Sequence, residues 1–163
     1  MGNTIPRYTF GLDLSAQYRD FDFRVFLQGV GKRDHYLRDD LAWAFNAAGK
    51  IQKWQKEGMW QEGETNAKYP RLFISSANNT TPSTFWLENG AYLRLKNVQI
   101  GYNIPDKILK DQFIKGIRLF FAGQNVFTFK KMTEGYDPEQ SDNNARYKMP
   151  LVKTYSFGFN LNF

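Results

Sequence analysis

The chain has no cysteine and a single histidine. Without thiols there is no disulfide framework, no thiolate metal site and no cysteine nucleophile. With His35 alone no multi-histidine metal centre can assemble, and a serine triad would have no base beyond this one loop residue. His35 itself reads as a solvated loop side chain. Asp39 and Asp40, and Asp137 with Glu139 and Asp142, bring carboxylates together. They lack the glycine and terminal glutamate of a calcium loop and read as solvated acidic turns. Gly29-Val30-Gly31-Lys32 is only superficially like a phosphate loop, because the full spacing is missing. No catalytic residue, metal site or cofactor is therefore expected. Long apolar runs are missing too: residues 119–122 are a typical maximum, against the ~20 of a membrane helix. The first six residues lack the basic and then apolar layout of a signal peptide, so an exported protein would need its address from elsewhere. No run of one charge occurs. The 22 basic and 16 acidic residues leave +6, but the cations are scattered, so nucleic acid is not an expected partner.

What the chain has is rings. Aromatic residues make up 17% of its 163 residues, yet mean hydropathy is −0.58. Strands that alternate a ring with a small or polar residue produce that combination. In residues 153–163, Tyr155, Phe157, Phe159, Leu161 and Phe163 fall on one face, and Ser156, Gly158, Asn160 and Asn162 on the other. The sequence stops on Phe163, where an ordinary domain frays into a polar tail, and this fits the closing strand of an outer-membrane barrel.

The same alternation predicts strands over 7–18, 21–29, 92–104 and 117–129, with 153–163 as the fifth. Arg19-Asp20 reads as a hairpin turn, although it is a poorer primed turn than Asn-Gly. Phe26 and Val30 blur the polar face of the second strand, and Phe120 that of the fourth. In the third strand the apolar positions change parity near Lys96-Asn97, which predicts a β-bulge. Pro105 ends that strand, and 106–116 has helix-like spacing.

Two long polar connections, 30–90 and 130–150, complete the pattern. The first is too long to be structureless; Asp39 or Asp40 is positioned to cap a helix through residues 41–48 that resumes towards Trp54. Residues 66–72 and 75–83 read as loop. Trp43, Trp54, Trp60 and Trp86 all lie in this connection. Exposed rings stack on sugar faces, so these four are the candidate ligand residues, against the plainer reading that they pack the loop onto itself. If Phe163 lies on the inner side of a membrane, both short connections fall inside and both long ones outside, as in outer-membrane barrels.

The residues also carry a family resemblance. They are Asn89-Gly90-Ala91-Tyr92-Leu93-Arg94-Leu95-Lys96-Asn97-Val98, Gly101-Tyr102, Ile104-Pro105, Gly123-Gln124-Asn125-Val126-Phe127-Thr128, Tyr136-Asp137-Pro138-Glu139 and Thr154-Tyr155-Ser156-Phe157-Gly158-Phe159. Upstream, Pro6-Arg7-Tyr8-Thr9-Phe10-Gly11, Phe21-Asp22 and Phe26-Leu27-Gln28-Gly29-Val30-Gly31 fit as well. With these motifs the chain resembles the C-terminal part of a SusC/RagA-type TonB-linked outer-membrane protein. Asp20 departs from the glycine that commonly precedes Phe-Asp there.

The resemblance implies an all-β fold, the last five strands of an antiparallel transmembrane barrel of about 22 strands with long extracellular loops. It implies import of glycans or peptides as the function. The implied partners are the rest of the barrel and its plug, a SusD-like lipoprotein, the TonB complex, the barrel assembly machinery and outer-membrane lipid. Tyr155, Phe157, Phe159, Leu161 and Phe163 would then be membrane-facing and form the assembly signal. The alternative is a free-standing β-rich carbohydrate-binding module.

Overall fold

The computed structural model describes residues 2–38, 42–46, 49–74, 77–105, 107–109, 113–140 and 151–163. Two compact units divide the chain. A sheet unit takes Arg7–Gly31, Ala91–Lys130 and Leu151–Phe163, and a loop unit takes Met1–Pro6, Lys32–Gly90 and Lys131–Pro150.

In the sheet unit, β1 (Tyr8–Tyr18) and β2 (Phe21–Gly31) form a hairpin through Arg19-Asp20. Arg19 takes φ 53°, a left-handed conformation that costs a non-glycine residue energy, and its guanidinium lies 5.3 Å from the Tyr18 ring centre. The Asp20 carbonyl accepts from the Asn103 amide at 2.7 Å, which ties the turn to the neighbouring strand. Gly29 to Gly31 lie inside β2 and form no phosphate-binding loop.

Within the loop unit, β3 (Asp34–Tyr36) pairs with β4 (Leu87–Asn89). Between them lie α1 (Lys53–Gly58), α2 (Ala77–Thr80) and a 3₁₀ turn over Thr84–Trp86, so part of the expected 75–83 loop is helical. Residues 42–45, expected as helix, are turns and a bend. Phe45 explains the break with φ 58°, which no right-handed helix accommodates. The proposed caps Asp39 and Asp40, and positions 41, 47 and 48, lie outside the described residues. Gln55 on α1 accepts from the Gln52 amide at 2.7 Å and donates to the Ala42 carbonyl at 2.6 Å, satisfying a buried amide at both ends.

The sheet continues with β5 (Tyr92–Asn103), β6 (Gly116–Lys130) and β7 (Thr154–Asn162). All pairs are antiparallel, and the order is β1-β2-β5-β6-β7. Gly31, Tyr92, Lys130 and Thr154, the strand ends that the two long connections join, therefore lie at one end of the sheet. Helix-like spacing after Pro105 gives only a turn among the described residues, closed by the Ile108 amide on the Pro105 carbonyl at 2.9 Å.

The parity change in β5 is a bulge. Leu27 pairs with Leu95 and Phe26 with Asn97, so Lys96 is skipped. The adjacent β6 adapts in turn: Leu95 faces Phe127 and Asn97 faces Gln124, and Asn125 takes up the extra residue at φ 51°. One inserted position keeps Leu95, Val98, Ile100 and Tyr102 in register with Leu27, Val25, Phe23 and Phe21.

The loop unit has its own core of Leu37, Ala42, Trp86, Met132 and Tyr136. Arg33 fastens three segments by donating to the carbonyls of Thr4 (3.1 Å), Pro138 (2.6 Å) and Gln140 (3.2 Å). Glu88 accepts from the Thr133 amide at 2.7 Å and from its hydroxyl. The two long connections thus fold together.

Candidate functional site

The register assembles one continuous apolar surface from rows of facing residues. Leu12, Leu27, Leu95 and Phe127 form one row, and Leu14, Val25, Val98, Gly123 and Tyr155 the next. Ala16, Phe23, Ile100, Phe121 and Phe157 follow, then Tyr18, Phe21, Tyr102, Leu119 and Phe159, and finally Ile117 with Leu161. Rings meet along and across these rows, Phe21 and Tyr102 at 4.6 Å and Phe121 and Tyr155 stacked at 6.1 Å. Phe163 stands just beyond β7 and is exposed. Most of this face is open: Phe157 is 75% exposed and Phe159 62%. Only Val30 and Tyr92 of the sheet unit are buried apolar residues, among those described. Such a sheet has no closed core, which argues against a free-standing module.

The opposite face is polar and internally paired. Arg24 grips Asp13 with Nε at 3.0 Å and Nη2 at 2.5 Å, and Arg118 grips Asp22 at 2.9 and 2.6 Å. The second pair crosses an intervening strand at Gly101. A Cβ there would press on the Asp22 carboxylate and the Arg118 guanidinium, so the bridge passes undisturbed where glycine leaves the space. Arg94 donates to the Thr128 hydroxyl at 2.8 Å. The misplaced rings of this face also have work: Phe120 lies over Gly158 and Phe26 over Gly11, covering backbone that glycine exposes.

The four tryptophans do not form one site. Trp86 is buried in the loop core with Nε1 donating to the Asn79 carbonyl at 3.0 Å, and Trp43 packs against the same core. Among the described residues, the buried Nε1 of Trp43 has no hydrogen-bond partner. Trp54 packs there too, with its ring 4.8 Å from Tyr69. Trp60 is the exposed one.

Trp60 and Trp86 share a groove of about 590 Å³. One wall is Lys68-Tyr69-Pro70-Arg71, held by the Trp60 amide on the Tyr69 carbonyl (2.9 Å) and the Tyr69 amide on the Gly58 carbonyl (2.8 Å). Asn78, Asn79, Thr81, Ser83 and Phe85 face it, and Asn79 Nδ2 donates across to the Arg71 carbonyl at 2.9 Å. The Lys68 ammonium lies 5.0 Å from the Tyr69 ring centre. Its hydrogen bond with Tyr69 and the nearby Glu88 charge hold the amine above its ordinary range. Sequence reading missed Lys68, Tyr69, Arg71 and Phe85; residues 66–72 show no periodicity, and scattered cations gave no stripe to notice.

Two further readings change. His35 is buried at 4% exposure, with its ring edge-on to Tyr136 at 6.3 Å, and is no solvated loop side chain. Strand β3 carries it inward. The Asp137 carboxylate is also buried and accepts from the Glu139 amide at 2.9 Å, which closes its own turn. Asp142 lies outside the described residues.

No family model matches the chain. It is 29% identical, over its whole length, to TonB-dependent receptor P3 of Formosa agariphila, of which it spans 17%. TonB-dependent receptor P39 of the same organism is 32% identical over 81% of this chain, which covers 11% of that relative. The chain thus spans less than a fifth of the curated relatives it matches. Among solved structures, the RagAB peptide importer in its open-open state superposes with a TM-score of 0.72 at 23% identity, over 98% of this chain and 17% of that one. The closed-closed state gives 0.71 at 25% identity, over 98% and 18%.

Proposed function

Since the chain belongs with the SusC/RagA-type TonB-dependent receptors, we propose that it is the C-terminal portion of an outer-membrane barrel that imports nutrients, glycans or oligosaccharides in the first place. The observation that carries this is the register, which collects rings and aliphatic side chains on one open face and paired charges on the other. In hydrocarbon the first face is favourable and the second is not, so Tyr155, Phe157, Phe159, Leu161 and Phe163 face lipid. Ser156, Gly158, Asn160 and Asn162 face the lumen, with Asp13, Arg24, Asp22 and Arg118. Strands of 9 to 15 residues are long enough to cross a bilayer at a tilt.

An open edge is not tolerated in hydrocarbon, because its N–H and C=O groups find no partner there. Both β1 and β7 are edges here, so each pairs with further strands of the same barrel. On this reading the barrel assembly machinery recognises the aromatic pattern of β7. The plug, the SusD-like lipoprotein lid and the TonB complex are the other partners. The loop unit lies outside the cell. The TonB-dependent receptors among the relatives, and the peptide importer at 25% identity, support import as the class of activity and leave the cargo to experiment.

Single cysteines at Thr65, Phe157 and Ser156 in the full-length protein test the arrangement. A membrane-impermeant maleimide is expected to label position 65 on intact cells. A fluorophore at 157, and not one at 156, is expected to be quenched by brominated lipid. Labelling at 65 only after the outer membrane is broken, or equal quenching at 156 and 157, overturns it.

A further inference from the structure

We infer that the loop-unit groove beside Trp60 binds an acidic oligosaccharide, a sugar chain bearing carboxylates or sulfate esters. The inference rests on the import reading and narrows its cargo. Three observations carry it.

The first is charge. Lys68 and Arg71 both line the groove, both are exposed, and no carboxylate stands among its described lining residues. Lysine is charged across the neutral range without any help, and Tyr69 and the Glu88 charge outside the lining shift Lys68 further towards that form. The two cations stand three positions apart on a backbone segment pinned to Gly58 and Trp60, with the Arg71 guanidinium 5.3 Å from the Phe73 ring centre, and their exposed side chains can reach an anion in the groove.

The second is the rest of the lining. Trp60 and Phe85 are 41% and 51% exposed, and a ring offers an apolar face to the C–H face of a pyranose. Asn78, Thr81 and Ser83 add amide and hydroxyl groups of the kind that meet sugar hydroxyls. A cavity of about 590 Å³ falls within the common range of small-ligand sites, about 300–1,000 Å³.

The third is that the groove is built. Asn79 bridges its two walls through the Arg71 carbonyl and the Trp86 indole, and Trp86 is a core residue. The ring of Tyr69 packs between Trp54 and Phe85. Ligand binding therefore meets a formed surface and spends little free energy on ordering it.

The test uses the full-length protein in detergent and three tetrasaccharide probes: a galacturonate tetramer, a heparin-derived sulfated tetramer and maltotetraose. Calorimetry is expected to show an acidic tetramer bound more tightly than maltotetraose, with affinity falling as salt rises. Binding of the galacturonate tetramer shows that carboxylates suffice, and binding of the heparin tetramer alone, which carries both groups, shows that sulfate esters are required. Lys68→Gln with Arg71→Gln is expected to weaken acidic binding roughly tenfold or more, as two charge-assisted contacts are lost. Trp60→Ala is expected to weaken it as well, and heat-modifiable gel mobility confirms that each variant is folded. Failure of both acidic tetramers to bind, equal binding of maltotetraose, or unchanged affinity in the double variant overturns the inference. An oligoglutamate peptide that competes as well as the tetramer assigns the groove to acidic peptides and overturns it too. Uptake by cells separates this from the broader reading. Import of maltotetraose without acidic binding removes the acidic cargo and leaves import standing, whereas a deletion strain that takes up every oligosaccharide and peptide tested as the wild type does removes import itself.

Discussion

The sheet unit and the loop unit use the same aromatic residues in opposite ways. In the loop unit Trp86 is 6% exposed and sits with Leu37, Met132 and Tyr136, whereas Phe157 of the sheet is 75% exposed among rings that are also open. A water-soluble unit gains about 25 cal/mol for each Å² of apolar surface it removes from water, so it closes around its rings. A sheet whose rings remain outside is stable only where something other than water covers them. On the proposed reading the two units meet different solvents, water around the loop unit and lipid against the rings of the sheet.

The strongest way to break the comparison is to open the loop core. Trp86→Ala is expected to destabilise the loop unit by about 3–5 kcal/mol, as large buried aromatics do when truncated. Limited proteolysis should then cut within residues 32–90 while the heat-modifiable mobility of the barrel persists. Loss of both together would mean that one core serves the whole chain.

Charge placed on the open face comes next. Phe159→Arg is expected to cost about 2–4 kcal/mol of barrel stability in bilayers, with Asn160→Arg costing much less. Urea unfolding in lipid vesicles measures both. Similar losses at the two positions would show that the faces do not meet different solvents.

Gly101→Ala sharpens the account of the polar face. The new methyl enters the space taken by the flexible ends of Asp22 and Arg118, which move aside at the expense of their pairing, so a loss of about 1 kcal/mol is expected. The companion change Asp22→Asn should reduce the further effect of Gly101→Ala in a double-mutant cycle, because the crowded ion pair has then already been weakened. Additive losses would remove the ion pair as the cause.

The smallest effect is expected at the solvated surface of α1. Lys53 and Glu57 lie one helical turn apart at 3.6 Å, and both side chains are largely in water. Lys53→Ala should change loop-unit stability by about 0.3–0.5 kcal/mol, and high salt should abolish the difference. A loss above about 1 kcal/mol would show that the loop surface is less solvated than its exposure indicates.

Much of the sheet is legible in the sequence, because strand structure writes a period of two and nearly every residue reports on it. Residues 7–18, 21–29, 92–104, 117–129 and 153–163 were expected as strands, and β1, β2, β5, β6 and β7 span Tyr8–Tyr18, Phe21–Gly31, Tyr92–Asn103, Gly116–Lys130 and Thr154–Asn162. Even the bulge at Lys96 shows as a parity slip. The candidate site was far less legible. Tryptophan content alone singled out Trp43, Trp54, Trp60 and Trp86, and the structure brings only Trp60 and Trp86 to the groove. The helix expected through residues 41–48 failed at the described positions because apolar spacing does not reveal a left-handed residue such as Phe45.

Alternation along the chain was enough to set the strands, their two faces and the kind of surface each presents. It is a local property, written by neighbouring side chains that point opposite ways. Which distant residues meet was decided by tertiary structure alone. Asp22 and Arg118 stand 96 positions apart and Arg33 and Pro138 105 apart, separations at which no periodic pattern survives. The passage over Gly101, the joining of two connections into one core and the cationic groove beside Trp60 all depend on such pairs. Each exists because close packing permits one arrangement of side chains that local sequence leaves undetermined.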